Sequence, residues 1–162
     1  MSNRTTIRYE PTMTDDLNAT GALALPSTKR SVPIALIRAR EKVMGPIREM
    51  LSDCGITEQQ WRILRVLEEF GPQDASSLAE RACLLLPSQT RIVQTLLEKG
   101  LVTRQADETD RRKQTVAITE AGQAIIHNKL DQAQAIATRI EEVIGKKRLA
   151  ELLDILEDFQ KL

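Results

Sequence analysis

The chain has 162 residues in which 23 lysines and arginines balance 23 aspartates and glutamates, so any nucleic-acid binding must come from local charge and geometry rather than a global basic excess. The length suits one domain, or one compact unit plus a tail, and few aromatics beside abundant Leu, Ile and Ala point to helices rather than a β-sandwich. Two distant cysteines, Cys54 and Cys83, and a single histidine, His127, exclude a zinc site and a disulfide framework and predict small buried thiols in a reducing cytoplasm.

Residues 1–31 are rich in Thr, Asn, Asp and Pro, and their one apolar cluster, Ala22 to Leu25, is too short for a core. This stretch predicts a tail that is disordered or docks on a partner subunit. Met1 to Glu10 lacks the apolar centre of a signal peptide and no run is long enough to span a membrane, so a cytoplasmic protein is expected. Val32-Pro33 opens a first helix with Ile34, Ile37, Met44, Ile47 and Leu51 on one face, and Gly45-Pro46 predicts a kink within it. Arg40, Met44 and Arg48 recur every four residues, which sets two guanidinium groups beside one apolar patch.

Thr57-Glu58-Gln59-Gln60 is a capping box and starts a second helix, whose face is filled by Trp61, Leu64, Val66 and Leu67 and whose end is Phe70-Gly71-Pro72. Asp74 caps a short helix from Ala75 to Ala82 with Leu78 and Ala79 pointing inward. The apolar turn that follows, Cys83 to Leu86, is expected to be pinned in the core.

Pro87 suits a first helical turn and Gly100 suits a left-handed helix end, which bounds a helix of about a dozen residues. Ile92, Val93, Leu96 and Leu97 form its apolar stripe, leaving Ser88, Gln89, Thr90, Arg91, Gln94 and Thr95 facing away. That outer face is short, polar and almost free of acid, as a DNA major groove requires. Leu101 to Arg104 and Thr115 to Ile118 then alternate as a β-hairpin. Its tip, Asp107-Glu108-Thr109-Asp110-Arg111-Arg112-Lys113, has no large apolar side chain. The cations Arg111, Arg112 and Lys113 suit a minor groove, with Asp110 able to steady one arginine through a charge-assisted bond. A groove-reading helix followed by a basic hairpin is a winged helix-turn-helix.

Thr119 caps a long helix expected over Glu120 to Ile144, with Ile126, Leu130, Ala133, Ala137, Ile140 and Ile144 alternating as a heptad seam. Gly145-Lys146-Lys147-Arg148 breaks the run, and a last helix carries Leu149, Leu152, Leu153, Leu156 and Phe159 on one face. This is more apolar surface than a winged domain can bury. A homodimer is therefore expected, with Ile34, Ile37, Ile126, Leu130, Ile140, Leu152, Leu156 and Phe159 at its interface. The fold class is mainly α with a small β-hairpin wing. Its parts are a tail (1–31), a first dimerisation helix (32–55), the winged helix-turn-helix (56–119) and C-terminal dimerisation helices (120–162).

Leu96-Leu97-Glu98-Lys99-Gly100-Leu101-Val102, then Asp107, Asp110-Arg111-Arg112 and Ile118-Thr119-Glu120-Ala121-Gly122, resemble the signature of the MarR family of bacterial transcription regulators. Thr57-Glu58-Gln59-Gln60-Trp61-Arg62-Ile63, Arg81-Ala82-Cys83 and Pro87-Ser88 resemble its branch of repressors of homoprotocatechuate (aromatic acid) degradation operons. The resemblance runs from about Val32 to Leu162. It implies a palindromic operator on double-stranded DNA, and a pocket for a small aromatic acid between the first two helices and the dimer helices. In such a pocket Trp61 can stack on a ring beside Met44, and Arg40 or Arg48 can pair with a carboxylate.

The rival reading is a helical interaction module whose wing contacts a protein. An enzyme is not expected, since His127 has no nucleophile or carboxylate constellation around it and no phosphate loop or metal-ligand spacing appears. No cofactor and no metal are expected either.

Overall fold

The computed structural model describes residues 27–106 and 114–162. Its elements run α1 (Val32–Met50), α2 (Glu58–Phe70), β1 (Gln73–Asp74), α3 (Ala75–Arg81), α4 (Leu86–Glu98), β2 (Val102–Ala106), β3 (Gln114–Ile118), α5 (Glu120–Asn128), α6 (Leu130–Ile144) and α7 (Lys146–Asp158). A 3-10 turn at Phe159–Lys161 follows. Most of the expected tail lies outside the described residues, and so does the hairpin tip with Arg111, Arg112 and Lys113.

Two compact units make up the chain, and the boundary between them falls inside α1, after Lys42. In the first, the Arg30 N–H donates to the Ser27 carbonyl at 2.7 Å, and the helix begins where the Ala35 N–H reaches the Ser31 carbonyl at 2.8 Å. The second unit, Val43–Leu162, holds the hydrophobic core. α1 runs through Pro46 without ending, although Pro46 has no N–H to give the backbone ladder.

The core forms where the short-range signals direct it. Thr57 accepts the Gln60 N–H at 3.2 Å, and the Gln60 side chain accepts the Thr57 N–H at 3.0 Å, so both bonds of the capping box are present. Set in that register, α2 buries Trp61, Ile63, Leu64, Val66 and Leu67 against Leu78 of α3, Val93 and Leu96 of α4, and Val102 and Val116 of the sheet. Each fully buried aliphatic side chain in such a cluster contributes roughly 1.5–3 kcal/mol. The central strand of the sheet is β3, with β1 and β2 antiparallel on either side; Val102 faces Ile118 and Gln73 faces Val116. β1 is an addition to the expected hairpin, since two residues are too few to show alternation. Gly122, in the first turn of α5, lies so close to the Leu101 carbonyl that a Cβ would overlap it, and glycine therefore lets α5 pack on the root of the wing.

The turn between α3 and α4 departs from expectation. Only Leu84 packs against the core; Cys83, Leu85 and Leu86 are exposed, and Cys54 is half-buried. Cys83 takes a left-handed φ of 50°, and the Leu84 N–H turns back to the Ala79 carbonyl at 2.8 Å, so the chain reverses too tightly to send the whole run inward.

The expected single helix from Glu120 to Ile144 is instead two, broken at Lys129. A tertiary contact sits at this break. Lys129 is only 8% exposed, and its ammonium donates to both Asp53 oxygens at 2.6 and 2.8 Å, a partner 76 residues away that no local pattern announces. Those hydrogen bonds hold the Asp53 carboxyl below its usual range. The break also divides the expected seam: Ile126 is buried in the winged core and Ala133 packs against it, while Leu130 stays exposed. Ile126 is therefore a core residue, not a dimerisation residue.

Candidate nucleic-acid interface

α4 is aimed by its neighbours. Arg62 on α2 donates from Nη1 to the carbonyls of Ala82 at 2.9 Å and Cys83 at 3.3 Å, which fixes the turn leading into α4. At the other end Lys99 donates to the Gly55 carbonyl at 2.6 Å and so ties the helix to the loop before α2. Neither residue stands out in the sequence, because each acts on a backbone carbonyl distant along the chain.

Outward from this fixed helix point Ser88, Thr90, Arg91 and Gln94, all exposed, with Thr95 half-buried beside them. Gln89 does not join them. It is 2% exposed, because positions 89, 93 and 96 fall on one stripe and carry it inward with Val93 and Leu96. The Thr90 hydroxyl donates to the Leu86 carbonyl at 3.0 Å and the Thr95 hydroxyl to the Arg91 carbonyl at 3.2 Å. With their protons committed to the backbone, both threonines offer lone pairs and methyl groups outward. Gln94 donates to Glu98 at 3.2 Å and keeps its carbonyl oxygen for another donor. Arg91 has no ion pair among the described residues and presents its fork of donors whole.

β2 carries a second exposed cation, Arg104, toward the undescribed tip. Strict alternation would set Arg104 on the inward face with Val102 and its cross-strand neighbour Val116, yet Arg104 is exposed. One rigid helix with a polar face and a strand pair beside it, rooted in one core, is the geometry of a winged helix-turn-helix.

The MarR family model matches residues 56–113. The HTH-type transcriptional regulator FarR of Neisseria gonorrhoeae is 37% identical over 84% of this chain and 93% of its own length. The homoprotocatechuate degradative operon repressor of Escherichia coli is 37% identical over 80% of this chain and 87% of its own. The chain belongs to the MarR family. A crystal structure of NadR in complex with 4-hydroxyphenylacetate, 34% identical, superposes at a TM-score of 0.74 over 90% of this chain and 99% of that one. CouR, solved on a 23-mer DNA duplex, is 21% identical at a TM-score of 0.74 and shares the fold. This MarR chain is a transcription regulator and not an enzyme.

Within this MarR chain the side chains singled out for a ligand are already engaged. Trp61 is buried in the core, Met44 is half-buried, and Arg48 pairs with Glu58 at 3.2 Å. Arg40, in the first unit, pairs with Glu41 at 2.9 Å. Among the dimerisation candidates Ile37, Leu130, Leu152 and Phe159 are exposed, and Ile34, Ile140 and Leu156 are half-buried. Among the described residues no helix is long and apolar enough to cross a membrane.

Proposed function

We propose that the chain is a homodimeric, sequence-specific DNA-binding repressor in the cytoplasm that leaves a palindromic operator when a small aromatic carboxylic acid binds. The observation that carries the proposal is the exposed polar face of α4, with Arg91 at its centre, on a buried, well-capped core. Ser88, Thr90, Arg91, Gln94 and Thr95 meet base edges and phosphates, and Arg111, Arg112 and Lys113 follow the neighbouring groove.

The dimer is supported by α6 and α7, which bury no residue within the chain. Residues 32–55 and 120–162 supply the subunit contact and residues 56–119 the DNA contact. A two-fold axis through that contact presents two α4 helices to half-sites roughly 34 Å apart. One helix alone gains only about 1–3 kcal/mol per good base contact, so pairing supplies the selectivity.

NadR, solved with 4-hydroxyphenylacetate, supports an acid as effector. Its carboxylate would take Arg48 from Glu58, with Met44 and Trp61 beside the ring. Such an acid releases DNA only if it binds the unbound arrangement of the dimer more tightly than the operator-bound one.

The test is to select duplexes from a random library with the full-length protein. Sedimentation is then measured with and without the selected duplex, with 4-hydroxyphenylacetate or homoprotocatechuate added. A dimer that binds the duplex steeply with falling salt, and is released and thermally stabilised by an acid, supports the proposal. A monomer that selects no sequence overturns it.

A further inference from the structure

We propose that Leu85 and Leu86 read the methyl groups of thymine in the operator, so that this regulator's sequence preference includes an apolar component at the leading end of α4. The inference rests on the DNA-binding reading above and adds a base identity to it. Leu85 is 78% exposed and Leu86 48% exposed, at the N-cap and first residue of α4. Leucine is among the poorest N-cap residues, and Leu85 makes no side-chain cap.

These side chains are held out, not left loose. Leu84 alone packs against the core at this turn, Cys83 holds the left-handed reversal, and Arg62 fastens the carbonyls of Ala82 and Cys83. The leucines run directly into the polar face, with Leu85 three residues before Ser88 and Leu86 bonded through its carbonyl to Thr90. A recognition helix brings its N-terminal residues to the base edges. The major-groove edges there present hydrogen-bonding groups, except for the C5-methyl of thymine, which is the apolar group a leucine can cover. A subunit contact through the same leucines would bury Ser88 and Arg91 with them and so occupy the DNA face.

The experiment takes the duplex selected by full-length protein and replaces its thymines one at a time with deoxyuridine, which removes the methyl and keeps the pairing. The expected result is a loss of about fourfold in affinity at one or two positions per half-site, the value of one buried methyl. Leu85→Ser, which supplies a better cap, and Leu86→Ala should each bind thymine and deoxyuridine duplexes within about 1.5-fold of each other at the position its own leucine covers.

Deoxyuridine that costs nothing at every position overturns the proposal while leaving DNA binding intact. So does an equal cost in wild type and both variants. A variant with altered sedimentation mass also overturns it, by marking the leucines as a subunit contact. Failure to select any duplex overturns the DNA-binding reading itself.

Discussion

Leu64, Leu78 and Leu96 are fully buried in the winged core, whereas in α7 Leu153 is 58% and Ile155 54% exposed and no side chain of α6 or α7 is buried. Both regions have leucine and isoleucine at helical spacing, so composition does not separate them; what differs is whether another element of the same chain covers the stripe. In the winged part α2, α3, α4 and the sheet close around one cluster. Among the described residues the C-terminal helices carry an apolar face that the core covers only at Ala133 and Ile136, and exposed apolar faces of that kind mark interaction sites.

The largest expected effect tests this contrast directly. Leu64→Ala should destabilise the protein by about 2–5 kcal/mol through the lost contacts and the cavity left behind. The urea midpoint should fall by a similar amount at every protein concentration. Leu153→Ala with Ile155→Ala should cost little in an isolated subunit and should instead raise the protein concentration below which the midpoint ceases to depend on concentration. If both variants shift the midpoint equally and independently of concentration, the two regions are one cooperative core and the contrast is wrong.

How much of this was legible in the sequence follows from the range of each signal. The capping box at Thr57, the cap at Asp74, the bounds of α4 at Pro87 and Gly100, and the hairpin all arise from residues within a few positions of one another, and they fold as expected. The helix break at Lys129 and the exposure of Leu85 have no local signal, because the contacts beside them come from far along the chain, from Asp53 and from Arg62. Gln89 is a different error. Its angle places it with Val93 and Leu96, but its polar chemistry placed it with Thr90; on a helix, the angle decides first. Of the residues expected to face outward on α4, all but Gln89 are exposed or half-buried. The spacing of Arg40, Met44, Arg48 and Trp61 reveals neither the Arg48–Glu58 pair nor the burial of Trp61.

Gln89 and Arg91 extend the contrast between covered and uncovered positions to two residues of one helix. Gln89→Ala should lower stability by about 1–2 kcal/mol, because a buried polar side chain and its packing are lost together. Duplex affinity per folded molecule should be kept. Arg91→Ala should leave the melting temperature within about 2 °C and weaken binding to a selected duplex by roughly tenfold. Thermal denaturation and mobility shift on the same preparations separate the two. Reversed outcomes would mean that α4 is rotated from the orientation described.

The smallest effect lies where helix and sheet meet. The Asp74 backbone pairs with Thr115 in the sheet, while its carboxylate accepts the N–H groups of Ser76 at 2.9 Å and Ser77 at 3.0 Å and the Ser77 hydroxyl at 2.7 Å. The backbone bond from Ser77, then its hydroxyl, hold the Asp74 carboxyl below the ordinary carboxylate range. A carboxyl depressed in the folded state binds protons more readily once unfolded, so its stabilisation is whole above about pH 4 and is lost as pH falls through the folded value. Asp74→Ala should cost about 1 kcal/mol at pH 7 through loss of the cap. Asp74→Asn keeps a capping oxygen but cannot titrate. Its urea midpoint should therefore stay at a fixed distance from wild type between pH 7 and 5 and converge on it below about pH 4. A gap unchanged into strong acid would show that the cap acts through shape alone, and that the covered region of the molecule draws nothing from charge at this junction.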